Sequence, residues 1–113
     1  AVTVSLFMSL PDASLASDDV PLADGEVWSK SSRPEKIAYI VGMSNLMVVE
    51  YLFQEGASKK PTDDQTIIRR LFNAAENVTL DGIIDQIDQW YEKHPDKMKE
   101  PVLVVIWQEL VEK

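Results

Sequence analysis

The sequence predicts an all-α single domain of about four helices behind an irregular N-terminal lead-in. Three observations predict it. A capping box, Ser32-Arg33-Pro34-Glu35, stands directly before a long apolar stretch. Leu80, Ile83, Ile84, Ile87 and Tyr91 recur at the i, i+3, i+4, i+7 spacing of one helix face. Segments rich in Gly, Pro, Ser and Asp separate these runs, as turns do. With 113 residues and 45% apolar content, one globular domain is the expected size.

The chain opens on "AVTVSLFMSL", an uncharged and mostly apolar run, followed by "PDASLA". This is the pattern of the back half of a secretory signal, with Ser14 and Ala16 as the small residues of a cleavage site. Residues 1–16 are then a signal remnant, and the domain is 17–113, periplasmic or secreted. The alternating, β-branched "TVSLF" also fits a buried strand. The run is too short to span a membrane, and no stable membrane insertion is expected. Residues 17–31 carry Pro21, Gly25 and several Ser and Asp, and read as irregular. Leu22, Val27 and Trp28 are its expected anchors.

In the capping box, Ser32 accepts from the backbone of Glu35, and Glu35 reaches back. The helix it starts runs to about Gln54, with Gly56 as its stop. Its predicted inward face is Ile37, Ile40, Val41, Ser44, Val48, Tyr51 and Leu52. Met43, Leu46, Val49 and Phe53 lie off that face. A helix apolar almost all round is expected to be central and buried. Gly42 costs about 1 kcal/mol relative to Ala there, which predicts a close helix crossing. Glu50 marks either a wet strip or a buried acid. Ser44 and Asn45 form a candidate polar patch.

"EGASKKPTDDQ" reads as a loop, and Thr62-Asp63-Asp64-Gln65 as a second capping box. Ile67, Ile68, Leu71, Phe72 and Ala75 make the stripe of a second helix ending near Asn77. Thr79 caps a third, which His94-Pro95 ends, because the residue before a proline avoids helical geometry. In "EPVLVVIWQELVEK", Pro101 suits a first turn, and Val102, Val105, Ile106 and Leu110 keep helical spacing. The Val-rich run is also compatible with a buried strand, whose one possible partner is the N-terminal run.

Composition excludes several functions. Nineteen acids against 11 bases give a net charge of −8, which argues against nucleic-acid binding and against anionic membranes, and either permits a basic protein partner or merely reflects solubility. There is no cysteine and one histidine, so thiol chemistry and conventional zinc sites are out. No cofactor and no metal site is expected, nor any catalytic residue: no nucleophile elbow or phosphate-binding glycine loop is present. His94, at a helix C-terminus, is explained by the helix dipole.

Two surfaces are candidates for partner binding. Asp81, Asp85, Asp88 and Glu92 fall at spacings of four, three and four along one flank of the third helix, an acidic ridge. Like charges so spaced oppose helix formation, so the ridge is either the solvated face of an acidic protein or a surface read by a cation or basic partner. The mixed-charge loop 56–64 supplies Ser58, Lys59, Lys60 and Asp63, exposed on a rigid scaffold. The sequon Asn77-Val78-Thr79 is taken as chance, since Thr79 is wanted as a cap.

Gly25 and Trp28, then "KIAYIVGMSN", then "VTLDGIIDQIDQWYEKHPD" and an apolar last helix together resemble the small exported bacterial proteins of the Rap/Tai immunity type. The resemblance covers roughly residues 25–111 and is carried by Tyr39, Ile40, Gly42, Val78, Trp90, Tyr91, His94 and Pro95. It implies an all-α periplasmic immunity protein, often a homodimer, that blocks a peptidoglycan-cleaving toxin and performs no chemistry itself. Members usually carry disulfides, so this chain is closer to a cysteine-free branch. The function expected is therefore a non-enzymatic, exported protein-binding module, an inhibitor or immunity factor. The alternative is a small-ligand or metal carrier with a pocket on the long helix, beside Ser44, Asn45 and Glu50.

Overall fold

The computed structural model describes residues 20–56 and 66–113, and within them the chain is all-α. The predicted signal remnant, 1–16, lies outside the described residues. Five helices occur among them: α1 (Gly25–Lys30), α2 (Arg33–Gly56), α3 (Ile67–Ala74), α4 (Leu80–Lys93) and α5 (Val102–Leu110), with a 3-10 turn at Pro95–Lys97.

Helix α4 forms as its spacing predicts. The Thr79 hydroxyl accepts from the Gly82 amide at 3.0 Å, and the apolar stripe Ile83, Ile84, Ile87 and Tyr91 is buried. The final segment resolves as helix. Val102, Val105 and Ile106 of α5 are fully buried and join Ile84 and Ile87 in the core. Helix α2 packs on α3 and α4, and α5 packs on α3 and α4.

The capping box of α2 is made as read: Ser32 N–H donates to Glu35 Oε1 at 2.8 Å, and Glu35 N–H to Ser32 Oγ at 3.3 Å. The helix continues to Gly56. Its orientation differs from expectation. Ile40 and Met47 are buried and Ile37, Met43, Ser44 and Tyr51 half-buried, but Val41, Val48 and Leu52 face outward. The helix is peripheral, not central: α3 and α4 cover one side of it. Gly42 makes no close crossing, since nothing lies within 4 Å of where its Cβ would stand. Helix α3 starts at Ile67, where the Thr66 hydroxyl accepts from the Arg69 amide at 2.9 Å; the expected Thr62–Gln65 box lies outside the described residues. Ile67 is exposed, so the α3 stripe reduces to Ile68, Leu71, Phe72 and Ala75.

Residues 20–31 of the lead-in are more regular than their composition predicts. Asp24 caps α1 by accepting from the Val27 amide at 3.1 Å. Of the three expected anchors, Trp28 is buried, while Leu22 and Val27 are exposed. The strap before α1 is tied to the start of α5: Val102 N–H donates to the Ala23 carbonyl at 2.8 Å, beside an antiparallel bridge between Asp24 and Pro101. Tyr91 completes this corner. Its hydroxyl donates to the Glu100 carbonyl at 2.6 Å, and its ring lies against Gly25, where a Cβ would come within 2.5 Å of it. Glycine is required there for close approach. Burial, and then the charge of Asp24, push the Tyr91 phenol well above its ordinary range.

Three outcomes follow for stability. Ile84→Ala should cost roughly 2–5 kcal/mol in denaturant unfolding, since a fully buried side chain is removed. Gly25→Ala should cost about 1–3 kcal/mol by overpacking against Tyr91. Because folding raises the Tyr91 pKa above its ordinary 10.0, the unfolded chain gives up that proton first. Stability should therefore hold below pH 10 and fall above it, less steeply in Tyr91→Phe.

Candidate functional site

The acidic ridge is present, but its charges are largely answered from within the chain. The Arg33 guanidinium spans Asp81 at 2.8 Å and Asp85 at 3.0 Å. Hydrogen bonds to these two carboxylates raise the Arg33 pKa further. Lys36, one turn on, donates to Asp88 Oδ1 at 3.0 Å. The same oxygen accepts from Trp28 Nε1 at 2.6 Å. Glu92 is exposed beside Trp28, Lys36 and Asp88 at the rim of a shallow cleft.

This junction holds three helices together. Lys36 also lies 5.3 Å from the centroid of the Trp28 ring, and that ring meets Tyr39 edge-on at 6.1 Å. Burial pushes the Tyr39 phenol up. The ridge carboxylates thus take the role foreseen for a basic partner, but their cations come from α2. The sequence carries the signal: Arg33 and Lys36 sit three apart on one helix, Asp81, Asp85 and Asp88 at helical spacing on another. Ser58, Lys59, Lys60 and Asp63 of the expected contact loop lie outside the described residues.

The His94 ring stacks on Trp90 at 4.1 Å between centroids, and its Nδ1–H donates to the Trp90 carbonyl at 2.7 Å. It closes the end of α4, where its backbone N–H reaches Tyr91 O. Ser44 donates back to the Ile40 carbonyl of its own helix at 2.8 Å, so it makes no cross-helix bond. Asn45 points outward and Glu50 is half-buried on the inner side; they form no patch with Ser44. Arg69 lies over the stacked rings of Tyr51 and Phe72, 4.9 Å from the first, and its Nη1 is buried without a hydrogen-bond partner among the described residues. No group of three or more His, Cys, Asp or Glu suited to a metal occurs among the described residues.

Two apolar features remain. A half-open groove of about 380 Å³ lies between α2, α3 and α4, walled by Ile40, Met43, Met47, Phe72, Val78 and Ile83. Ser44 and Thr79 face it with hydroxyls already bonded in their own helices, and Glu76 is its one charged residue. The second feature is the outer face of α2. Val49, Leu52 and Phe53 are 61%, 60% and 71% exposed, with Val41, Leu46 and Val48 beside them. Ala38, Gly42 and Asn45 complete this face, so no outward residue between 38 and 53 carries a charge. The charged residues of that stretch, Lys36 at its edge and Glu50, are on the inner side. An ordinary surface helix carries polar and charged residues on its outward side, whereas this one is apolar on both. Arg33–Phe53 is long and apolar enough to cross a membrane by length and composition, yet its other side packs on α3 and α4.

No family model matches the chain, and neither a curated protein nor a solved structure matches it.

Asp88→Ala should destabilise the fold by about 1–3 kcal/mol, because it leaves both the Trp28 N–H and the half-buried Lys36 ammonium without their acceptor. Asp81→Ala, at a carboxylate 79% exposed, should change unfolding much less, and its small effect should shrink further in high salt. Equal losses at the two positions would contradict this division of the ridge.

Proposed function

We propose that this protein is a non-enzymatic protein-binding module, working as an exported inhibitor or immunity-type factor, and that its contact surface is the outer face of α2. The observation that carries this is the run of outward Val, Leu and Phe side chains between 41 and 53 with no charge among them. Apolar residues scattered singly on a surface need no explanation, but a contiguous patch along one helix is the signature of an interface. Its apolar core would be flanked by polar residues, as interface anatomy requires. Internal pairing of Asp81, Asp85 and Asp88 makes the ridge a structural element first, so a basic partner is not needed to account for it.

A second reading has its own observation. The groove of about 380 Å³ falls in the size range of small-molecule sites and is apolar with few polar groups. Its ligand would be an apolar molecule beside Ser44, not a metal.

The test is affinity capture from an extract of the source cells with the full chain, beside Leu46→Glu/Phe53→Glu and Glu92→Lys variants. Loss of one dominant protein with the first variant and its retention with the second is expected. Capture lost with Glu92→Lys alone would return the contact surface to the ridge. A titration in which aliphatic ligands shift unfolding, while no protein is captured, would favour the groove.

A further inference from the structure

We propose that the groove between α2, α3 and α4 is a site for a cationic amphiphile, a single aliphatic chain ending in a protonated amine. The chain lies in the groove and the amine at the Glu76 rim. This rests on the groove being a ligand site and names the chemistry of its ligand.

The walls select the chain. Ile40, Met47 and Ile83 line the groove and are themselves buried, so the core fixes its inner surface. Met43 and Met47 stand with Phe72, and thioethers adapt to the shape of what they touch. The Ser44 and Thr79 hydroxyls are engaged within their own helices, at 2.8 and 3.0 Å. A polar group placed deep in the groove would lose its water for little return, so the buried part of the ligand is hydrocarbon. At about 30 Å³ for a water-sized group, a volume of about 380 Å³ holds about a dozen methylenes.

Charge selects the head. Glu76 is exposed and is the one charged residue lining the groove. Two helices also end there. Ala75 is the C-cap of α3 and Leu110 the last residue of α5, and both line the groove. A helix C-terminus carries partial negative charge, and neither of these two has a basic residue in its last turn. Arg69 and Arg70 stand earlier in α3, over Tyr51 and over Trp107. The positive end of α4, at Thr79 and Leu80, is capped by Thr79 and has Asp81 in its first turn. An ammonium at this rim therefore meets a carboxylate and two negative helix ends. A carboxylate-headed chain meets repulsion there, and the net charge of −8 adds to it.

The experiment titrates the full chain calorimetrically at neutral pH with decylamine, decanol and decanoate, each below its aggregation limit. Decylamine should bind about three- to tenfold tighter than decanol, and decanoate more weakly than decanol. Added salt should narrow the spread. Glu76→Gln should bring decylamine close to decanol and leave decanol unchanged, with unaltered unfolding, since the side chain is exposed. Glu76→Lys should place decanoate above decylamine. Ser44→Leu, which fills the groove, should weaken all three.

Three equal affinities, all weakened by Ser44→Leu, would keep the groove as an apolar site and overturn the cationic ligand. Decanoate binding tightest to the unaltered chain would do the same. Decylamine binding indifferent to both Glu76→Gln and Ser44→Leu would place it elsewhere on the chain and overturn the proposal. If none of the three binds, the groove reading and the proposal fail together.

Discussion

Burial of one stripe on α4 sets the position of everything else. Ile83, Ile84, Ile87 and Tyr91 share one core with Ile40 of α2, Leu71 of α3 and Val102, Val105 and Ile106 of α5, and Tyr91 lies against Gly25 of α1. Ile84, Val102, Val105 and Ile106 have no exposed surface, so they are packed as a solid and define spacing as well as energy. The polar contacts lie around this plug. Arg33, Lys36 and Trp28 hold the flank of α4 that the stripe does not bury, and Tyr91 ties its far end to the Glu100 carbonyl.

That arrangement explains why α2 is left half uncovered. A 24-residue helix is about 36 Å long at 1.5 Å per residue, while α3 and α4 have 8 and 14 residues. Two shorter helices cover one side of it. The other side meets no described element, yet from 38 to 53 it carries Val, Leu and Phe where a solvent-facing helix would carry Lys and Glu. The polar share of the helix is spent inward instead, on Lys36 against Asp88 and on half-buried Glu50.

How much of this was legible depends on whether the signal was local. The caps at Ser32 and Thr79 and the stripe from Ile83 to Tyr91 are encoded within a few residues, and each forms as read. The α1 turn was hidden because one Asp24 cap outweighs the Pro, Ser and Gly around it. The inward face of α2 was misread because apolar residues all round a helix give no angular preference. Which side is buried shows only in tertiary packing: Ile40 and Met47 enter the core, and Arg33 and Lys36 meet Asp81, Asp85 and Asp88 on segments some fifty positions away. For the candidate site, the ridge residues fall on one flank as their spacing predicts, and the signal that α2 supplies their cations, Arg33 and Lys36 three apart, is non-local, some fifty positions away.

The same pairing bears on what the outer face is for. Five charged residues line the junction of α2 and α4, of which only Lys36 and Asp88 are largely withdrawn from solvent, at 14% and 30% exposed, while Ile40 and Met47 are buried on the same side of α2. The exposed pairs add little stability, and the burial of Ile40 and Met47 on the same side favours the same orientation. Fixing one side inward commits Val49, Leu52 and Phe53 to the outside. Their outward placement follows from which side of α2 packs on α3 and α4, and it leaves a contiguous uncharged apolar strip on the surface, a pattern that solvent exposure alone does not favour.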